Sequence, residues 1–191
     1  MSTDHDAATR RHTLARFCAL LLLGCVAWLL PPGARAAPTG CSVSIPSAGG
    51  GAGAAVAFGS YDPLNASGIP TSGNLTINCS ANGGGLNNGF MVTISLSTGA
   101  GTYVTRLMRG SVDTLQYNLY TDPSHTTVFG NGSAGSQTVT LCFYGSKKDP
   151  CGGTGLDPTQ PHDVPMYGLL PPGQDVTAGS YTDTITAMLT F

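Results

Sequence analysis

Cysteine is the residue type in this sequence with the clearest chemistry. Cys18 and Cys25 lie in an apolar N-terminal segment, and four more follow it: Cys41, Cys79, Cys142 and Cys151. An even set in an oxidising compartment indicates disulfides. Of the three possible pairings we favour Cys41 with Cys79 and Cys142 with Cys151, because each would join neighbouring strand and loop elements. A metal site is the alternative, but no Cys-x-x-Cys or nearby histidine supports it.

Histidine and acidic residues could support catalysis, but few of them occur together. After residue 36 the chain has two histidines, His125 and His162, and no glutamate. Asp122-Pro-Ser-His125 combines a carboxylate, a hydroxyl and an imidazole, yet this composition is also typical of a turn between strands. No Gly-x-Ser-x-Gly or metal-binding spacing is present. We therefore predict that the protein is not an enzyme and has no catalytic residue, cofactor or metal.

Charged residues are sparse, and two groups of them could form contacts. Lys147 and Lys148 are a candidate surface contact for anionic glycans, and the alternative is that they only keep a loop soluble. Arg106 and Asp183 are either buried partners or charges at strand ends, and the sequence leaves both open. After residue 36, four basic residues face eight aspartates, a net charge near −4. Nucleic-acid binding would need a basic stripe, so no nucleic-acid partner is predicted.

The N-terminus has the pattern of a secretory signal. Arg10, Arg11 and Arg16 precede an apolar run over 17–30, and Ala34-Arg-Ala36 is a small-x-small cleavage site. We predict a signal peptide over 1–36, with cleavage after Ala36. The run is shorter than the roughly 20 residues that a membrane-spanning helix needs, so no span is expected after cleavage. Lipoprotein processing at Cys25 and twin-arginine export fit the segment less well.

Short strands are the elements that must position these residues. In the mature part, Val, Ile, Leu and Tyr alternate with Thr, Ser and Asn, and no helical period is visible. Gly, Asn and Pro turns between the strands indicate an all-β, immunoglobulin-like sandwich over 37–191. The predicted strands are Cys41–Ile45, Asn74–Cys79, Phe90–Leu96, Leu115–Thr121, Val128–Phe129, Thr138–Tyr144, Val164–Gly168 and Tyr181–Phe191.

The terminal strand is the most informative of these elements. One face carries an apolar set and the other carries threonines, which predicts a half-buried strand. An apolar strand with an open edge recruits another chain, because its backbone N–H and C=O groups lack partners. The strand therefore raises the question of what pairs with it, and its inward residues are Tyr181, Ile185, Ala187, Leu189 and Phe191.

Several motifs in order along the chain resemble one known family. They include Cys41-Ser-Val-Ser, Phe58-Gly-Ser-Tyr-Asp-Pro-Leu64, Leu115-x-Tyr-Asn-Leu-Tyr-Thr-Asp122 and Ala178-Gly-Ser-Tyr-Thr-Asp-Thr184. Residues 41–191 are similar to the spore coat protein U domain, a family that includes subunits of archaic, Csu-type chaperone-usher pili. The resemblance implies an incomplete sandwich that lacks its last strand and is completed by a donor strand from a partner. It also implies that the inward residues of the terminal strand form the acceptor groove for that donor: Tyr181, Ile185, Ala187, Leu189 and Phe191.

The resemblance also implies partners and a location. The donor would come first from a periplasmic chaperone and then from another pilus subunit, with an outer-membrane usher between the two. The protein would cross the periplasm and reach the cell surface or a pilus, with a role in adhesion and biofilm formation. Three hypotheses stay open: such a pilus subunit, a spore or cell-surface coat protein of the same fold without a filament, and a secreted hydrolase that no residue supports.

Two departures from the family pattern shape these expectations. Polymerising subunits of this kind carry a donor extension before the first cysteine, whereas cleavage after Ala36 would leave Ala37-Pro-Thr-Gly40. Four residues span about 13 Å, and Pro38 lacks a ladder donor, so we expect a subunit that accepts a strand without donating one, at a filament tip. The second departure is an insertion over 143–163, a surface loop with Lys147 and Lys148 near its tip.

Overall fold

The computed structural model of the protein describes residues 40–45, 56–79 and 87–191. These residues fall within one compact unit, residues 37–191. The predicted signal peptide over 1–36, its cleavage site and residues 37–39 lie outside the described residues. No helix in the described part of the chain has the length and apolarity to cross a membrane.

Two antiparallel sheets make up the described structure, and the prediction of an all-β sandwich is confirmed. The larger sheet has the order β1-β2-β7-β5-β4 and the smaller one β6-β3-β8. The strands are β1 Cys41–Ser44, β2 Ile69–Cys79, β3 Phe90–Leu96, β4 Arg106–Arg109, β5 Thr114–Tyr120, β6 Val139–Phe143, β7 His162–Leu170 and β8 Ala187–Thr190.

The core lies between the inner faces of the two sheets. In β3, Val92, Ile94 and Leu96 point inward while Met91 points outward, as the alternation of a strand requires. These residues meet the inward side chains of the larger sheet, and the shared core includes Leu75, Ile77, Ile94, Leu96, Leu115, Tyr117, Leu119, Phe129, Val164, Met166 and Leu170. The alternation in the sequence therefore identifies the buried face of each strand.

Several elements differ from the prediction. β4 was not predicted, because its Arg-Leu-Met-Arg sequence alternates poorly. Val128–Phe129 is not a strand and makes only isolated bridges to Tyr120 and Gln137. β2 begins five residues before the predicted start and includes Pro70, which pairs with Leu169 of β7. β1 pairs with the other side of β2 only from Thr76 onward. No described strand lies beside Pro70 on that side, so its missing N–H costs no hydrogen bond of the ladder there.

Two disulfides are present, and both have the pairing that the sequence favoured. Cys41 bonds to Cys79, its direct cross-strand neighbour in the β1–β2 pair. Cys142 bonds to Cys151 with a sequence separation of 9. The first bridge fixes the start of β1 to the end of β2. The second closes the loop that follows β6.

The inserted loop after β6 is tied back to the body of the domain. Leu156 forms a parallel bridge beside Phe143 of β6. The backbone N–H groups of Lys147 and Lys148 both donate to the Asn87 carbonyl, at 2.8 and 2.9 Å. The Ser146 hydroxyl also bonds to the Asn87 side chain. The predicted surface loop is therefore anchored at its base, with both lysines exposed beside the anchor.

Candidate functional site: a groove beside an open sheet edge

The four edges of the two sheets are not equally protected. Thr182 exchanges backbone hydrogen bonds with Arg109 on the outer side of β4, and Leu156 bridges the outer side of β6. Over residues 40–45, 56–79 and 87–191, no strand pairs with the second side of β1 or of β8. Unpaired strand edges are templates for another strand. The sandwich thus has two edges available for pairing.

The open side of β8 has identifiable backbone groups. Ser97 donates its N–H to the Thr186 carbonyl at 2.9 Å, so Thr186 faces β3. Successive residues of a strand point their backbone N–H and C=O groups to opposite sides. The backbone groups of Met188 and Thr190 therefore point toward β3 as well. The N–H and C=O groups of Ala187 and Leu189 then point to the open side. Their side chains are half-buried, so the exposed backbone lies beside an apolar surface.

A cavity of about 1000 Å³ lies along these two edges. β1 contributes Val43, and the segment before β8 contributes Ile185, while the cavity floor is formed by core residues of the larger sheet. β1 of the larger sheet and β8 of the smaller sheet approach each other. The lining on these three sides is mainly apolar and includes Val43, Ile45, Phe58, Leu75, Leu115, Leu119, Met166, Leu170, Tyr181, Ile185 and Ala187. We call this cavity the groove.

Residues 56–61 form one wall of the groove without belonging to a strand. Phe58 packs its ring edge-to-face on Tyr117, with 5.7 Å between centroids. A Cβ on Gly168 of β7 would lie 2.9 Å from both the Phe58 ring and Val56, so glycine is required there for the wall to approach the sheet. The Thr71 hydroxyl donates to the Ala57 carbonyl at 2.8 Å and fixes the wall to β2.

The terminal segment departs from the prediction in its pairing but not in its pattern. Burial alternates from Tyr181 to Thr190, with the odd-numbered side chains half-buried and the even-numbered ones exposed. The predicted strand over 181–191 is too long, because only Ala187–Thr190 pairs as a strand. Thr182 pairs with β4 and Thr186 with the residue after β3, so residues between them cross from one sheet to the other.

The predicted acceptor residues are only partly brought together. Tyr181, Ile185 and Ala187 line the groove, and Leu189 packs against the core further along β8. Phe191 was predicted to face inward but is 55% exposed, because it lies beyond the last residue that pairs with β3. The sequence prediction also missed one member of the row. Asp183 is in phase with Tyr181 and Ile185 and lines the groove between them.

Asp183 and Arg106 are close enough to interact electrostatically, but they do not form an ion pair. The Tyr117 hydroxyl donates to Asp183 Oδ2 at 2.6 Å, and the N–H groups of Ala100 and Thr184 donate to Oδ1. Burial raises the pKa of Tyr117, and its hydrogen bond to the Asp183 carboxylate raises it further. The phenol therefore remains a hydrogen-bond donor at neutral pH.

Arg106 is fully buried behind the groove. Its guanidinium donates to the Asn118 side chain at 2.6 Å and to the carbonyls of Ser97 and Phe129 at 3.0 and 2.7 Å. Desolvation lowers its pKa, and nearby Tyr117, Tyr103 and Asp183 oppose that effect. Arg106 connects the two sheets by hydrogen bonds. It is therefore buried, but it is not the direct partner of Asp183, so neither of the two alternatives that the sequence left open holds in full.

The other chemical candidates lie elsewhere. Asp122 accepts hydrogen bonds from the backbone of Ser124, Thr126 and Thr127, as a turn-forming aspartate does. His125, with φ 55°, stacks edge-to-face on Tyr120. Lys147 and Lys148 are on the inserted loop and do not line the groove. Within the described residues, no group of three or more His, Cys, Asp or Glu is placed to hold a metal ion.

Comparison with known proteins gives the family. The spore coat protein U domain model matches residues 34–188. The chain belongs to the spore coat protein U domain family. A curated relative is "Protein U" of Myxococcus xanthus, which is 32% identical over an alignment of 167 residues. That alignment covers 79% of this chain and 77% of Protein U. The predicted family membership is thus confirmed.

A solved structure also aligns with this spore coat protein U domain. It is the CsuC–CsuE chaperone–tip adhesion subunit pre-assembly complex from the archaic chaperone-usher Csu pili of Acinetobacter baumannii. The TM-score is 0.47 at 18% sequence identity, and the alignment covers 80% of this chain. It spans 39% of the solved chain. The groove and the open β8 edge described above come from the present structure independently of that alignment.

Proposed function

We propose that this protein is a structural subunit of a chaperone-usher pilus, assembled by insertion of a partner's strand into the groove. One observation carries the proposal: the open edges of β1 and β8 border the same apolar cavity of about 1000 Å³. An inserted strand would use the free backbone groups of Ala187 and Leu189 and place alternate side chains in the cavity, which is β-augmentation. The subunit would act in assembly and adhesion, without catalysing a reaction.

The partners follow from this mode of assembly. A periplasmic chaperone would supply the first strand, an outer-membrane usher would receive the complex, and another subunit would supply the final strand. The protein would be secreted and would end at the cell surface or in a pilus. The predicted signal over 1–36 supports export, and the two disulfides are consistent with an oxidising compartment.

The test is capture by a chaperone. The full chain would be expressed with its signal in a cell that carries a tagged chaperone encoded beside it, and the tag would be purified. We expect a soluble complex with one copy of each protein. Recovery of the chain as a folded, soluble monomer in cells without the chaperone would contradict the proposal.

We further propose that the subunit sits at a filament tip. The support is the short segment Ala37–Gly40 that cleavage after Ala36 would leave before the disulfide-bonded Cys41. Immunogold labelling of intact cells tests the position. Gold confined to filament tips is expected, whereas gold along the shafts would show that this subunit donates a strand.

At such a tip, Lys147 and Lys148 are the proposed contact for an anionic surface. The support is their exposure on a loop that a disulfide and the Asn87 carbonyl hold in place. Replacing both lysines with serine should reduce retention of the chaperone complex on sulfated-glycan beads at low salt. The same double change at Thr140 in β6 and at Thr138 just before it is a control for general effects of substitution in this region. Equal retention of the unchanged protein and both variants would refute the contact.

A coat protein of the same fold is the second candidate. The family's description as a spore coat domain favours it. In a coat, a neighbouring protein would fill the groove without forming filaments. Electron microscopy of labelled cells separates the two: an even layer on the cell or spore surface supports the coat, and labelled fibres support the pilus.

A further inference from the structure

The lining of the groove contains one charged carboxylate within the part of the chain that the structure describes. The inward row along the terminal segment reads Tyr181, Asp183, Ile185, Ala187 and Leu189. Four of these side chains are apolar or aromatic. Asp183 is half-buried between Tyr181 and Ile185 and faces the same cavity. A strand inserted beside this segment must therefore pass a carboxylate.

The hydrogen bonds of Asp183 leave part of its capacity unused. Oδ1 accepts from the N–H groups of Ala100 and Thr184, at 3.1 and 2.8 Å. Oδ2 accepts from the Tyr117 hydroxyl. An ionised carboxylate has about four acceptor positions, so one on Oδ2 remains for a further donor. Tyr117 and Asp183 both line the groove, so a donor inserted there would come close to the carboxylate.

The charge of Asp183 is not cancelled by a direct ion pair among the described residues. Arg106 is the nearby cation, but its NH1 and NH2 groups donate to Asn118, Ser97 and Phe129. Arg106 is also fully buried, so it cannot move toward the groove without breaking these bonds. A second carboxylate brought beside Asp183 would meet like charge in a space that the inserted strand has closed to water.

The geometry of paired strands determines which side chain of an inserted strand is favourable opposite Asp183. Directly opposite residues of paired strands have Cβ atoms about 4.5–5.5 Å apart, and opposite charges there stabilise while like charges destabilise. We infer that Asp183 is a specificity determinant of the groove, which favours a strand with a hydroxyl or ammonium side chain opposite Asp183 and rejects one with a carboxylate there. This inference rests on the proposed function, because it assumes that a strand enters the groove.

Peptide exchange on the chaperone complex tests the inference. The probes are synthetic peptides of about eleven residues in which Val and Thr alternate, a length that covers the inward row at about 3.3 Å per residue. In each peptide one inward Val is replaced by Lys, Thr, Leu or Glu, at every inward position in turn. Release of fluorescently labelled chaperone would be measured as a function of peptide concentration.

We expect one position at which the Glu peptide is about tenfold weaker than the Lys and Thr peptides, a change of about 1.4 kcal/mol. At that position, the ratio of the affinities of the Lys and Glu peptides should fall toward one in Asp183→Asn, which removes the charge and keeps the shape. Tyr117→Phe is the matched variant that retains the carboxylate, and there the ratio should persist. It also keeps the test valid if Asp183→Asn does not fold.

The two proposals fail in different ways. If no peptide releases the chaperone, the groove does not accept a strand, and the proposed function is wrong together with this inference. If peptides release the chaperone but no inward position separates Lys from Glu, only the role of Asp183 is wrong. Loss of the ratio in Tyr117→Phe but not in Asp183→Asn would also overturn it, because the phenol rather than the carboxylate would then select the strand.

Discussion

Leu189 and Thr190 are adjacent residues of β8 in opposite environments. Leu189 packs against the core, and Thr190 is exposed on the outer face. Leu189→Asp would put a charge on the buried side of the edge that a partner must cover, whereas Thr190→Asp would leave it in water. We expect Leu189→Asp to abolish co-purification with the chaperone and Thr190→Asp to retain most of it. Equal loss in both would show that β8 does not present its inner face to the partner.

Arg106 is a buried residue whose three hydrogen-bond acceptors lie on different segments. Arg106→Lys keeps the charge but cannot reach Asn118, Ser97 and Phe129 together, because a lysine has a single compact donor group. Leaving buried acceptors unpaired costs about 1–3 kcal/mol. We expect urea unfolding of the chaperone complex to show a loss of about 3 kcal/mol for this variant. Arg109→Lys, at the exposed end of β4, is the control and should be near neutral; similar losses would contradict this role.

Asp183 shows where sequence reasoning stops at the scale of a residue. The alternating pattern of the terminal segment identified Tyr181, Ile185, Ala187 and Leu189 as inward. Asp183 has the same phase, but a charged residue in an apolar row normally argues against burial. Its partners Tyr117 and Ala100 are far away in sequence, so only the fold reveals that three donors bond to the carboxylate. If the alternation of the terminal segment had been applied to every odd-numbered position without regard to residue type, it would have placed Asp183 among the inward residues.

At the scale of elements, the two disulfides hold different parts of the site. Replacing Cys41 and Cys79 with serine frees β1, which borders the groove, whereas replacing Cys142 and Cys151 frees only the inserted loop. Their sequence separations are 38 and 9. Chain entropy gives losses of about 4 and 2.5 kcal/mol. We expect the first double variant to unfold at lower urea and to lose chaperone capture, and the second to keep capture.

Non-reducing peptide mapping of the secreted protein provides the covalent check. It should find those two pairs and no free thiol. A bridge between Cys41 and Cys142 would be incompatible with the register that places Cys41 directly opposite Cys79 in the β1–β2 pair.

The strands were predictable to different degrees, and the reasons are physical. β3 was predicted with its observed bounds because it is central in the smaller sheet and strictly alternates. The terminal strand was predicted too long, since alternation reports which side chains are buried and not which backbone groups are paired. Residues 181–186 keep the alternation while they cross between sheets. β4 has only four residues and was missed, because its buried member is an arginine.

The whole molecule combines an apolar cavity with an open edge, and this should determine its behaviour in isolation. Exposed strand edges beside apolar surface promote aggregation. We expect the chain, exported without a partner, to aggregate or be degraded, and to become soluble when a strand fills the groove. Size-exclusion chromatography of periplasmic extracts with and without the chaperone measures this. A monomeric isolated chain with cooperative, high-temperature melting would contradict an incomplete sandwich.

The pairing of β3 with β8 also has a consequence for the order of folding. Ile94 lies opposite Leu189, so the smaller sheet joins segments that are 95 positions apart in the chain. Contacts between such distant segments form slowly, since a long loop must close before they can begin to stabilise the fold. β3 and β6 can pair earlier, but one side of β3 then stays unpaired until β8 is in place. Under the proposed function, the chaperone would therefore bind this protein during that interval, before the sandwich is complete. It would act as a template for the pairing of the final strand.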